Sequence, residues 1–205
     1  FFYSTTGWMM WNTLFMGPMM GGAAVLYDGS PVYPDNALLW QLAEEAGATF
    51  FGASPAYIEL MRKHDVVPSS ICDLSSLDTV LLSGAPSTPE TFGWFYENVK
   101  SDLWVTSQSG GTEFCSGVVG ATPNMPVYAG EIQVRLLGVD VRVFNDEGQE
   151  IFDEVGEMVI VQPMPSMPLF MWGDDDFNLY HDAYFDTFPN IWRHGDFIKI
   201  NDRGG

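Results

Sequence analysis

Two helix starts capped by a hydroxyl residue and a proline, Ser54-Pro55 and Thr88-Pro89, most constrain how this chain can fold. In such a pair the Ser or Thr oxygen accepts a backbone N–H of the coming turn. The proline has its φ already helical and no N–H to lose. The predicted helices run to about Lys63 and about Val99. Short apolar runs at 49–52, 79–83 and 103–107 have strand length, and a further helix over 36–46 has Asp35 or Asn36 as cap and Gly47 as stop. Strands and helices alternating at this spacing predict a parallel sheet. Past Pro123 the texture changes: 131–136 and 141–144 alternate apolar and polar residues, Asn145-Asp146-Glu147-Gly148 is a turn, and 158–161 is a strong strand. The predicted fold class is α/β, a parallel sheet flanked by helices followed by an antiparallel β-rich, barrel-like subdomain. The division falls between residues 1–122 and 123–205.

The most hydrophobic stretch, 7–27, is too interrupted for a membrane span of about 20 apolar residues. Asn12, Thr13, Gly17-Pro18 and Gly21-Gly22 break it. It reads as a helix over 8–16, a break, and a buried strand at 23–27. With 8 Lys+Arg against 27 Asp+Glu the formal net charge is −19. That sign argues against nucleic acid and against an anionic membrane surface. The acidic excess fits either a high-salt surface or a fragment whose basic partner surface lies elsewhere. Two cysteines, Cys72 and Cys115, are too few for a disulfide framework or a zinc site. No signal peptide opens the chain, so the reducing cytoplasm is expected. Both ends read as cut, since Phe1-Phe2-Tyr3 opens inside an apolar stretch and Asp202-Arg203-Gly204-Gly205 is a turn leading onward.

Polar, glycine-rich segments mark where chemistry could sit. Ser107-Gln108-Ser109-Gly110-Gly111-Thr112-Glu113 follows the 103–107 strand at its carboxyl end, where open α/β sheets bind ligands. Glycines let backbone approach phosphates, a Thr hydroxyl can donate to a phosphate oxygen, and a carboxylate can hold Mg²⁺. The bland alternative is a loop that only turns the chain. Ser83-Gly84-Ala85-Pro86 leaves a second strand the same way. Asp196, in His194-Gly195-Asp196, is either an acceptor for a ribose diol or a plain turn carboxylate. Asp174-Asp175-Asp176 fits no calcium loop and reads as a solvated turn, His64 and His181 read as surface residues, and Cys115 has no accompanying base.

In their order these segments resemble the adenylate-forming acyl-CoA synthetase superfamily. Tyr3 to Asn12 resembles the lead into its acyl pocket, Ser83 to Pro86 its adenine loop, and Gly110-Gly111-Thr112-Glu113 its Thr-Glu signature. Gly156-Glu157-Met158-Val159 resembles its Gly-Glu-Leu strand, and Trp192-Arg193-His194-Gly195-Asp196 its Gly-Asp ribose motif. Further wording, including Val127-Tyr128-Ala129-Gly130-Glu131-Ile132-Gln133 and Ala183-Tyr184-Phe185, is similar to the branch that activates acetoacetate.

The resemblance implies MgATP-dependent formation of an acyl-adenylate, then displacement of AMP by the thiol of CoA. It implies Glu113 for Mg²⁺, Thr112 with Gly111 for phosphate, Asp196 for ribose, and Gly84, Ala85 and Pro86 for adenine. Trp8 and Met9 would line the acyl and pantetheine region. Gly110 stands where acetyl-CoA synthetases place a pocket-closing Trp, which implies room for a larger acid. Ser107, Gln108 and Ser109 supply no aromatic ring to stack on adenine. The family's phosphate loop would precede Phe1, and its C-terminal domain with the adenylation lysine would follow Gly205. The chain alone is therefore expected to be inactive, its partners being the small-molecule substrates and the rest of its own polypeptide. Another acyl-CoA synthetase, a carrier-loading adenylation domain and a non-catalytic module of the same fold stand as the alternatives.

Overall fold

The computed structural model describes residues 1–205, which resolve into two compact units. One comprises Phe1–Ser109 with Ala121–Ile132, the other Gly110–Gly120 with Gln133–Gly205.

The first unit is built on three parallel strands in the order β1 (Phe50–Ala53), β2 (Thr79–Leu82), β3 (Trp104–Ser107). Phe2 bridges Gly52 in parallel outside β1, with Tyr3 N–H donating to Gly52 at 3.0 Å and Gly52 N–H donating to Phe1 at 2.8 Å. The helices are α1 (Met9–Thr13), α2 (Met16–Met19), α3 (Leu38–Glu45), α4 (Pro55–Lys63) and α5 (Pro89–Asn98). The caps act as predicted: Ser54 accepts from Tyr57 N–H and Thr88 from Thr91 N–H, both at 3.3 Å. Each Ser54→Ala or Thr88→Ala change is expected to cost about 1 kcal/mol. An unmoved urea midpoint would mean that water serves those amides equally well. Asp35 Oδ1 accepts from Ala37 N–H at 2.7 Å at the head of α3. The core gathers Trp40, Phe51, Ile58, Met61, Leu82, Phe92, Phe95 and Val105, all at 0–1% exposure.

The stretch 7–27 departs from expectation. Two short helices replace the single one over 8–16, and Pro18 is tolerated because it falls in the first turn of α2. Residues 23–27 form no strand. Val25 and Tyr27 do pack on the core, but the free edge of β1 is already taken by Phe2. Nor is the stretch a core segment: Met10 is buried, whereas Trp8, Met19 and Met20 are exposed at 65%, 83% and 86%. No helix is long and apolar enough to cross a membrane.

Two further three-stranded sheets follow, the first of them starting at Ser109, where the chain leaves the first unit for the second. One is β4 (Ser109–Gly111), β5 (Ser116–Gly120) and β6 (Val134–Arg135), so pairing within the predicted 131–136 strand is confined to two residues. The other is antiparallel, β7 (Val141–Phe144), β8 (Gly156–Ile160) and β9 (Trp192–Ile198). A helix not anticipated from sequence, α6 (Asn178–Tyr184), precedes β9. Its first amides are held from outside: Asp174 accepts from Leu179 N–H at 3.0 Å and Tyr180 N–H at 2.9 Å. Asp174 is thus a buried helix-capping group and not part of a solvated turn, while Asp175 and Asp176 are exposed.

Candidate functional site

In the first unit the chain leaves the sheet at its carboxyl edge several times. The segment leading to α1 follows the Phe2 bridge, Ser83-Gly84-Ala85-Pro86 follows β2, and Gln108 follows β3. Gln108 Nε2 donates to Met10 Sδ at 3.3 Å, which draws α1 to that edge. The buried hydroxyls of Ser87 and Ser107 lie 3.5 Å apart and tie the adenine-loop candidate to the end of β3. Gly84, Ala85, Pro86 and Trp8 are exposed. In a parallel sheet this edge is where ligands bind.

In the second unit the segment predicted as one glycine-rich loop is mostly strand. Ser109-Gly110-Gly111 is β4, and the loop narrows to a turn at 112–115 with Cys115 N–H donating to Thr112 at 3.2 Å. Thr112 and Glu113 stand exposed on that turn, while Phe114 points inward at 0% exposure. Gly110 also has a backbone duty. A Cβ there would lie 2.2 Å from Ser116 O and 2.7 Å from Gly117 Cα, so any side chain requires the returning strand to move.

His194-Gly195-Asp196 is neither a turn nor a regular strand. The ladder pairs Glu157 with Phe197 and Val159 with Arg193, so these three residues oppose Met158 alone. Such a bulge re-aims side chains and frees backbone groups from the ladder. Gly195 takes φ +88°, which side-chain-bearing residues rarely adopt, and leaves the Asp196 carboxylate 57% exposed. The Gly195 N–H donates to Glu157 Oε1 at 2.7 Å. Arg193 Nε donates to Glu157 Oε2 at 3.2 Å.

An aromatic cluster joins turn and bulge. Trp192, 1% exposed, has Tyr184 stacked on it at 3.8 Å and 12°, with Phe114 edge-on at 5.5 Å. Trp192 Nε1 donates to His194 Nδ1 at 3.4 Å, and His194 Nε2 lies 3.6 Å from Asp196 Oδ2. Tyr184 is half-buried beside Glu113. Burial, followed by the charge of Glu113 and a hydrogen bond to it, pushes its phenol up to about 12.

The profile of a family described as AMP-binding enzyme matches residues 2–168. The chain belongs to that family. It is 41% identical over 204 residues to the acetoacetyl-CoA synthetase of Danio rerio, covering 100% of this chain and 30% of that protein. It is 44% identical over 205 residues to the acetoacetyl-coenzyme A synthetase of Rhizobium meliloti (strain 1021), covering 100% of this chain and 32% of that protein. The solved acetoacetyl-CoA synthetase from Streptomyces lividans superposes with a TM-score of 0.92 at 47% identity, over 99% of this chain and 32% of that one. An anthranilate CoA ligase shares the fold, with a TM-score of 0.75 at 17% identity. The chain thus spans about a third of the length of the relatives it matches.

Within the family's Mg²⁺ and ATP chemistry, an exposed carboxylate on a turn suits Glu113 to Mg²⁺. That ion takes one or two carboxylates plus phosphate oxygens rather than an all-protein cage. No group of three or more His, Cys, Asp or Glu is assembled for a metal. Sequence reasoning did not single out Tyr184 and Glu157, which contact candidate-site residues or their neighbours. Both lay inside quoted family wording, but only the strand register and the stacking bring them to the residues they serve.

Proposed function

We propose that the protein to which this chain belongs is an ATP-dependent acid–CoA ligase that activates acetoacetate as acetoacetyl-AMP and passes the acyl group to CoA. The observation that carries this is the match to the Streptomyces lividans acetoacetyl-CoA synthetase, 47% identical with a TM-score of 0.92 across 99% of the chain. In this reading Gly84, Ala85 and Pro86 pack on adenine and Asp196 accepts from both ribose hydroxyls. Gly111 and Thr112 face phosphate, and Glu113 holds Mg²⁺. The cation supplies neutralisation of phosphate charge as the carboxylate attacks the α-phosphate. Trp8, Met9 and Gly110 bound the acyl region. The chain's own contribution is to position reactants and stabilise developing charge. A cytoplasmic site of action belongs to the same proposal.

The test is acetoacetate-dependent ATP–pyrophosphate exchange by the protein at its natural length, with the 205-residue chain as an inactive control. Exchange with acetoacetate and little with acetate supports the proposal; no exchange with any short acid sinks it. Gly110→Trp adds a sharper expectation. Because the Ser116–Gly117 backbone must yield first, Gly110→Trp should lower stability by about 1–3 kcal/mol, and the displaced strand should slow exchange with both acids. A clean switch to acetate at undiminished rate would mean that Gly110 serves pocket size alone.

A further inference from the structure

Glu157 is a carboxylate with 10% side-chain exposure, lodged in β8 behind the bulge, and both its oxygens are engaged. Oε1 accepts from Gly195 N–H at 2.7 Å, the short distance typical of a charged acceptor. Oε2 accepts from Arg193 Nε at 3.2 Å, which also offsets the buried charge. The two donors flank His194, so the grip runs from the last paired residue, Arg193, to Gly195 in the middle of the segment that the bulge removes from the ladder. A bulge would otherwise leave the Gly195 amide without a strand partner and the next residue free to swing. That next residue is Asp196.

We propose that Glu157 is a positioning residue for nucleotide recognition: by anchoring the bulge at Gly195 it aims the Asp196 carboxylate at the ribose hydroxyls. This rests on the reading of Asp196 as the ribose acceptor. The anchoring group lies outside the substrate and acts only through the backbone. Its loss is therefore specific: the nucleotide stays bound by its phosphates and base, while discrimination at the sugar declines.

The experiment is calorimetric titration of the full-length protein with ATP and with 2′-deoxy-ATP, for the native protein and for Glu157→Gln and Glu157→Met. The native protein is expected to bind ATP roughly tenfold more tightly than 2′-deoxy-ATP, the value of one hydrogen bond to a charged acceptor. Glu157→Gln keeps an acceptor for Gly195 and should retain most of that ratio. Glu157→Met fills the same space without an acceptor, and its ratio should fall below about 2, with 2′-deoxy-ATP affinity little changed. If the methionine variant does not fold, Gly195→Ala disturbs the same bulge from the other strand and should lower the ratio likewise. A folded Glu157→Met protein with the native ratio overturns the proposal. Equal native affinities for the two nucleotides would overturn the ribose reading and this inference with it. A native preference for ATP without acid-dependent exchange would sink the ligase reading alone, because the binding titration still reports on Glu157.

Discussion

Glu113→Gln in the full-length protein is expected to lower acetoacetate-dependent pyrophosphate exchange by about 10²–10³-fold, the usual effect of removing one preorganised electrostatic group. The substitution is isosteric and keeps an oxygen that can accept from Tyr184, so the 112–115 turn has no reason to refold. What it deletes is the charge that holds Mg²⁺ against the phosphates in the proposed reaction. Thermal stability should therefore stay within about 0.5 kcal/mol of the native value, as for exposed substitutions generally. Raising Mg²⁺ should recover part of the lost rate if the defect lies in metal binding. Exchange within a factor of a few of native, at limiting Mg²⁺, would remove Glu113 from the machinery.

Trp40→Ala should be the most damaging core substitution, at about 3–5 kcal/mol. The indole is fully buried, stacked on Phe51 at 4.3 Å and 13°, with Trp94 and Phe95 at 6.1 and 6.4 Å. Its Nε1–H is buried without an acceptor, which makes a contrast available. Trp40→Phe also leaves a void, but it removes a donor whose unpaired burial costs about 1–3 kcal/mol. The two effects oppose, and the phenylalanine variant should lose less than half of what the alanine variant loses in urea unfolding. A loss for Trp40→Phe as large as its void alone would cost would mean that the unpaired N–H costs nothing in the native protein.

The parts legible in the sequence were those whose cause is local. Ser54 and Thr88 announce their helices because a side-chain oxygen reaches an amide three residues on. The strands before them are apolar because both faces of a parallel sheet are covered. What failed depended on partners far along the chain. Residues 23–27 are apolar enough for a strand, but Phe2 occupies the edge they would need. Helix α6 escaped notice because its cap is Asp174, several residues upstream, and because Phe177 before it takes φ +59°. Thr112, Glu113 and Asp196 were read from the wording of their segments. The bulge beneath Asp196 is a mismatch between two strands, which neither strand's residues announce alone. Gly110 was read as vacated space, whereas a backbone 2.2 Å from its missing Cβ gives the residue a second cause.

The chain passes between its two compact units three times, after Ser109, after Gly120 and after Ile132. Neither unit is therefore a cassette. A chimera that joins this chain to a relative at any one of these junctions leaves at least one unit assembled from two parents. A ribosome cannot finish the first unit until residue 132 has emerged, by which time 110–120 is already present and awaiting a sheet not yet made. Recombination should preserve folding where it exchanges 110–120 together with 133–205 as one inheritance. Recombinants made at any single crossover point within 109–133 should fold markedly less often than those made by such a paired exchange.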